Sequence, residues 1–110
     1  MRHTFAAGTT LQPGKAIAVF GAASGIPAGL TNAIAASTGS LNLSNSGDTV
    51  TLKNASAAVK DSFTYPSSLS GTDGVSMNRS PDGTTGGFVL HTAISSLSRS
   101  PGTRASGAAW

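Results

Sequence analysis

The order of residues predicts an all-β protein in which short antiparallel strands form a sandwich or a barrel. Turn-forming pairs such as Pro13-Gly14, Asp73-Gly74 and Pro101-Gly102 recur along the 110-residue chain, since Gly allows a positive φ and Pro presets φ. Between these turns lie short runs in which apolar and polar residues alternate, as on half-buried strands. The composition agrees, because 17 Ala, 17 Ser, 13 Thr and 14 Gly with no Glu do not suit helical bundles.

The first strand is predicted over residues 16–20, an apolar run of Ala, Ile, Val and Phe. The next segment has helical spacing, because large apolar residues recur every four positions, at Ile26, Leu30 and Ile34. Pro27 suits a first helical position, so one short helix is predicted near residues 27–36. Gly29 weakens a helix there, and the alternative is an irregular Ala-rich loop.

Residues 48–53 form the clearest strand, because Val50 and Leu52 share one face. The opposite face carries only polar side chains, those of Thr49, Thr51 and Lys53. Three other segments have weaker strand character: residues 41–43, 75–79 and 87–92. The segment from 95 to 109 has little periodicity and is predicted to be an irregular strap or a linker.

Residues 58–65 also alternate, and their apolar face includes one charge. Asp61 shares that face with the side chains of Val59, Phe63 and Tyr65. A carboxylate on a core face is costly unless it is paired or hydrogen bonded. Arg79 is the candidate partner, and the Ser44-Asn45 turn is the alternative. We interpret the Asp61–Arg79 pair as a structural tie that fixes strand register, in preference to a ligand site.

The charge pattern argues against a nucleic-acid-binding role. Seven Lys and Arg and four Asp give a net charge of +3, and the seven cations are scattered along the chain. A nucleic-acid surface needs several cations on one face, with aromatic residues if single strands are bound. The longest apolar run, residues 16–20, is far shorter than the ~20 residues that span a bilayer.

Motifs for catalysis, metals and nucleotides are missing from the sequence. The chain has no Cys, and Ser24 lies one position away from the centre that a G-x-S-x-G motif requires. Two His without H-x-x-x-H spacing predict no zinc site, and no phosphate-binding loop is present. His91 is expected to bond a neighbouring carbonyl rather than to act as a base. We therefore predict a non-enzyme without cofactor or metal, leaving open a calcium ion shared by two loop Asp residues.

An ordered series of motifs over residues 5–105 resembles the lamin-tail domain in its bacterial form, leaving 106–110 as a tail. The matching segments are, in chain order, LQPGK (11–15), IAVF (17–20), LSNSGDTVTL (43–52), VKDSFTY (59–65), SMNRSPDG (76–83), FVLHT (88–92) and SPGTR (100–104). The resemblance implies an immunoglobulin-like antiparallel β-sandwich.

The resemblance also implies that this domain is partial. Family members usually begin with an Asn-Glu-containing strand and a Trp-Val-Glu-Leu-like strand, and this chain starts almost at the following Leu-x-Pro-Gly turn. The missing acidic strands would explain the absence of Glu. A partial sandwich exposes strand edges that invite pairing, so strand-mediated self-association is expected.

The function implied by the resemblance is that of a non-catalytic interaction module. Such a module is expected to act in adhesion, anchoring or recognition of a protein or cell-surface partner, as an accessory part of a secreted or surface-exposed bacterial protein. The alternatives are an accessory fragment of a secreted hydrolase or nuclease and a weak DNA-associated module. A DNA-associated module would require binding that depends steeply on salt.

Overall fold

Six strands and one short helix are the regular elements of the computed structural model, which describes residues 1–110. The strands are β1 (Ala18–Phe20), β2 (Ala33–Ala35), β3 (Gly47–Lys53), β4 (Val59–Pro66), β5 (Met77–Arg79) and β6 (Phe88–Leu90). The helix α1 (Ser67–Ser70) follows β4, and single 3-10 turns occur at Ala23–Gly25 and His91–Ala93. The chain is a small β-rich domain, which confirms the β-rich part of the fold prediction.

The strands pair into three two-stranded sheets. The β3–β4 and β5–β6 pairs are antiparallel, with Val50 opposite Phe63 and Asn78 opposite Val89. The β1–β2 pair is parallel, with Val19 opposite Ile34, so the expectation of only antiparallel strands is wrong there. A parallel pair needs a crossover connection, and residues 21–32 supply it.

The helix predicted near residues 27–36 does not form. The Leu30 N–H donates to the Pro27 carbonyl at 3.2 Å, and Gly29 between them has φ +84°. This tight turn needs a positive φ that Gly adopts without strain. The chain then enters β2, where parallel pairing with β1 replaces helical hydrogen bonds. Residues 41–43 likewise form no strand, because Asn42 has φ +50°.

The β3–β4 hairpin has one polar and one apolar face. On the polar face, cross-strand hydroxyls lie 2.7 Å apart in the Thr49–Thr64 pair and 3.2 Å apart in the Thr51–Ser62 pair. The other face carries four apolar side chains, those of Val50, Leu52, Phe63 and Tyr65, and two carboxylates, those of Asp48 and Asp61. The register shifts between Leu52 and Lys53. After this shift, the Asn54 side-chain oxygen accepts hydrogen bonds from the N–H groups of Ser56 and Ala58, both at 3.0 Å. These bonds order the turn that connects β3 to β4.

The two antiparallel hairpins meet through aromatic rings. The Phe63 and Phe88 rings stack with centroids 4.0 Å apart and planes inclined by 23°. Burial is limited, since only four residues are buried: Ala36, Tyr65, His91 and Ala105. The apolar alternation therefore overestimates burial, because Val50, Leu52 and Val59 are 50%, 52% and 57% exposed.

The substitution Phe88→Ala removes the contact between the hairpins. We expect it to lower the free energy of unfolding by about 2–3 kcal/mol, near the low end for a Phe truncation because Phe88 is only half-buried. Urea denaturation followed by circular dichroism measures the loss. Val59→Ala, at an exposed strand position, is the control and should change stability by less than about 0.5 kcal/mol. Equal losses in the two variants would contradict the role of the stack.

Candidate functional site

A groove of about 500 Å³ lies between the apolar face of the β3–β4 hairpin and the β5–β6 hairpin. Most of its lining is apolar and includes Leu43, Val50, Leu52, Phe63, Met77 and Phe88. Leu43, Val50 and Leu52 are 54%, 50% and 52% exposed. Clustered exposed apolar side chains are characteristic of interaction sites on soluble proteins. The groove is therefore the strongest candidate for a binding surface.

One end of the groove is held by the segment that precedes β3. The Tyr65 hydroxyl donates to the Ser44 carbonyl at 2.9 Å, and the Ser70 hydroxyl of α1 donates to the Asn45 carbonyl at 2.9 Å. The Asp48 carboxylate accepts the Ser44 N–H at 3.3 Å. Together these bonds fix the backbone next to Leu43, so this part of the groove is preformed.

Asp61 and Arg79 lie at the rim of the groove, where their charged atoms are 3.9 Å apart. The Asp61 side chain is 66% exposed, so the pair is a surface ion pair and not the buried tie that the alternation predicted. Nothing covers this end of the apolar face, which is why the Asp61 carboxylate remains exposed. The alternative partner turn, at Ser44, bonds Asp48 instead.

Arg79 has stronger contacts than the ion pair. Its guanidinium donates to the Gly86 carbonyl at 2.8 Å and lies 4.6 Å from the centre of the Phe88 ring. The side chain thus braces the turn between β5 and β6 and covers one face of the aromatic stack. The position of the Arg79 side chain is set mainly by the Gly86 carbonyl and the Phe88 ring.

His91 is completely buried and forms a second polar cluster, which adjoins the groove through Ser76. Its Nε2 lies 3.0 Å from the Ala105 carbonyl, which can only accept, so in the neutral ring Nε2 donates and Nδ1 accepts. The donor to Nδ1 is the Ser76 hydroxyl, at 3.2 Å. The Asp82 carboxylate accepts the Ala105 N–H and also the Asn78 amide, the latter at 3.2 Å. These bonds attach the C-terminal segment to the β5–β6 hairpin.

We interpret the Ser76–His91 pair as structural. A serine activated for nucleophilic attack needs a histidine that can pass its proton on, with a carboxylate as orienting group. Here the ring is closed off from solvent, and the orienting group is a backbone carbonyl. The sequence predicted the carbonyl bond of His91 but missed Ser76. The β5–β6 register supplies that pair, because Met77 faces Leu90 and the next positions outward are 76 and 91.

Other chemistry-bearing residues are dispersed. No three His or Asp side chains lie together as a candidate metal-binding group, and no helix has the length and apolarity to cross a bilayer. Several cations bond their own chain: Arg99 donates to the Gly74 carbonyl at 3.2 Å, and Lys15 donates to the Trp110 carbonyl at 3.2 Å. Arg104 lies 4.6 Å from the Trp110 ring centre. The Lys15 and Arg104 contacts meet at Trp110, whereas the Arg99 contact is separate from them.

Comparison of the chain with protein-family models, with curated proteins and with solved structures finds no match. Any function must therefore be argued from the geometry of the chain itself. In that geometry the groove combines exposed apolar side chains with a preformed backbone.

The two rim residues should respond differently to substitution. Asp61→Asn should change the free energy of unfolding by less than about 0.5 kcal/mol, because an exposed ion pair contributes little. Arg79→Met should cost about 1–2 kcal/mol, because the Gly86 carbonyl loses its donor and the Phe88 ring loses its cation. Chemical denaturation of both variants measures the difference. Equal losses of unfolding free energy in Asp61→Asn and Arg79→Met would contradict the different roles of these two residues.

Removal of the His91 ring should be among the more damaging single changes. His91→Leu leaves the Ser76 hydroxyl and the Ala105 carbonyl without their partner, and we expect a loss of about 2–4 kcal/mol. Ser76→Ala removes one of the two bonds and should cost about 1 kcal/mol. Thermal and urea unfolding of the two variants test this order. A His91→Leu variant as stable as the parent would show that the cluster does not hold the C-terminal segment.

Proposed function

We propose that this chain is a non-catalytic interaction module, resembling the bacterial lamin-tail domain, and that its groove binds a protein partner. The observation that carries the proposal is the exposed apolar wall of the groove, formed by Leu43, Val50 and Leu52. Burial of such surface is the main driving force of protein association, at about 25 cal/mol per Å². The module would serve adhesion, anchoring or partner recognition within a secreted or surface-exposed bacterial protein.

The charge of the groove points to the chemistry of the partner. Its two lining charges, Asp61 and Arg79, already face each other, so the groove has no unpaired charge to offer. The remaining lining is apolar side chains with Ser and Asn groups. A neutral extended segment with apolar side chains at alternate positions fits this surface, since strands present one face at a spacing of two residues.

A protein partner is favoured over a nucleic acid. Phosphate recognition needs several cations that converge on one face. In this chain the Arg79 guanidinium donates to the Gly86 carbonyl, and the Arg104 guanidinium stacks on the Trp110 ring. A basic surface of that kind is not assembled around the groove.

We infer further that the β3–β4 and β5–β6 hairpins correspond to facing parts of an immunoglobulin-like sandwich. The support is the Phe63–Phe88 stack, which joins the apolar face of one hairpin to the other. In a sandwich, the inner faces of two sheets interdigitate in this manner. The groove is then the part of the inter-sheet space that the chain leaves open.

Binding of a strand-forming peptide tests the proposed function. The probe is a neutral capped peptide of about eight alternating Val and Thr residues, a usual strand length, with an alternating Ser and Thr peptide as its control. In NMR titrations, the Val/Thr peptide should shift amide signals around Val50, Phe63 and Phe88. The Ser/Thr peptide should leave these signals in place.

A pair of matched variants locates the binding surface. Leu43→Ser removes a groove side chain and should weaken binding of the Val/Thr peptide about fivefold or more. Val59→Ser removes an equally exposed apolar side chain that does not line the groove, and its affinity should match the parent. Shifts scattered over the surface, or equal affinities in the two variants, would overturn the proposal.

A further inference from the structure

Two Asp-Gly pairs occur in the chain, Asp73-Gly74 and Asp82-Gly83, and the fold holds their carboxylates differently. The side chain of an Asp can cyclise when the backbone nitrogen of the following residue attacks its carboxyl carbon. Glycine hinders this attack least, because it has no Cβ and its backbone has the most freedom. The other two Asp residues of the chain precede a Thr and a Ser, whose side chains crowd the nitrogen. The two Asp-Gly pairs are therefore the positions where this reaction is chemically easiest.

The reacting groups of the first pair are free. Asp73 is exposed, and every hydrogen bond to a carboxylate in this chain ends on one of the other three Asp residues. The single ion pair of the chain also lies elsewhere. The Gly74 N–H has no acceptor. No bond of the folded chain therefore has to break before the Gly74 nitrogen meets the Asp73 carboxyl.

The turn that contains Asp73 is held by two long contacts. The Val75 N–H donates to the Thr72 carbonyl at 3.3 Å, beyond the usual length of such a bond. The Arg99 guanidinium donates to the Gly74 carbonyl at 3.2 Å. The first three residues of the turn are exposed. Rotation of the backbone at Asp73 is therefore opposed by little packing.

The second pair is fixed on both sides. The Asp82 carboxylate accepts the Ala105 N–H and the Asn78 amide, the latter at 3.2 Å. Gly83 packs against the Trp110 ring so closely that a Cβ at this position would lie 2.7 Å from it. Cyclisation at this pair requires that both hydrogen bonds break and that Gly83 leave the ring.

We propose that Asp73 is a site of spontaneous isoaspartate formation, and that the fold protects Asp82 from the same reaction. The Gly74 nitrogen forms a bond to the side-chain carbon of the protonated Asp73 carboxyl, and the hydroxyl leaves as water with the proton of the nitrogen. Water then adds to the α-carbonyl of the succinimide ring and breaks its bond to the nitrogen, so the chain continues through the Asp73 side chain. The water lost in the first step is regained in the second, and no group is oxidised or reduced.

The modification changes the backbone next to the groove. An isoaspartate linkage lengthens the chain between Asp73 and Gly74 by one carbon, so the hydrogen bond that closes the turn no longer fits. Val75 follows directly and lines the groove, and the Ser76 N–H donates to the Ser98 carbonyl at 3.0 Å. The linkage therefore displaces one end of the groove, whichever partner the groove binds. The reaction itself does not depend on the proposed function.

Incubation of the full-length chain in mildly acidic buffer tests the proposal, with tryptic digestion and mass spectrometry as the readout. Trypsin cleaves after Arg79 and so separates the two pairs. An isoaspartyl peptide has the mass of its parent and elutes apart from it, and the succinimide is lighter by one water. In the folded chain, Asp73 should isomerise at least about tenfold faster than Asp82, because hydrogen bonds to a carboxylate that must break raise the barrier. In concentrated urea, where neither carboxylate is held, the two rates should become similar.

A pair of variants assigns the difference to the fold. Asn78→Ala removes one bond to the Asp82 carboxylate and should speed isomerisation there severalfold, with the rate at Asp73 unchanged. Asp73→Glu moves the carboxyl one carbon farther away and should abolish the product at that position. Circular dichroism confirms that each variant is folded. Equal rates at the two pairs in the folded chain, or no reaction at Asp73, would overturn the proposal. So would a difference that persists in urea, because the sequence and not the fold would then set it.

Discussion

The stack of Phe63 on Phe88 is the contact on which the arrangement of the two antiparallel hairpins depends. The chain has few large apolar residues, and only four residues of any kind are buried. One aromatic pair therefore carries much of the packing between β3–β4 and β5–β6. Arg79 covers one face of the Phe88 ring, and both residues line the groove. The candidate binding surface exists because the stack joins the hairpins at one place and leaves the adjoining apolar face uncovered.

Long-range hydrogen bonds from side chains to backbone carbonyls supply the order that burial does not. The Asn32 amide donates to the carbonyls of Ala16 and Gly102, at 3.1 and 2.8 Å, and so links three distant segments. Tyr65 and His91 make bonds of the same kind. In a chain rich in Ala, Ser, Thr and Gly, such bonds fix loops that apolar contacts alone would leave loose, because each buried donor or acceptor left unpaired is costly.

The sequence predicts the strands best where alternation is regular. Residues 48–53 and 58–65 become β3 and β4 with bounds shifted by one residue, because a period of two has no other regular interpretation. The helix prediction failed because the spacing of Ile26, Leu30 and Ile34 coincides with a turn at Gly29 and a parallel strand. Alternation predicts which side chains share a face of a strand, but it does not predict what packs against that face. The exposure of Val50 and Asp61 therefore could not be predicted from the sequence. Ser76 becomes a partner of His91 only once the register of β5 and β6 is known.

The hydroxyl pairs on the outer face of β3–β4 bear on the environment in which this protein can remain folded. Those contacts, and most other polar contacts of the chain, join neutral hydroxyls, amides and carbonyls, and a single ion pair is present. Dissolved ions screen charges and leave dipole contacts almost unchanged. The fold should therefore tolerate low and high salt concentrations alike.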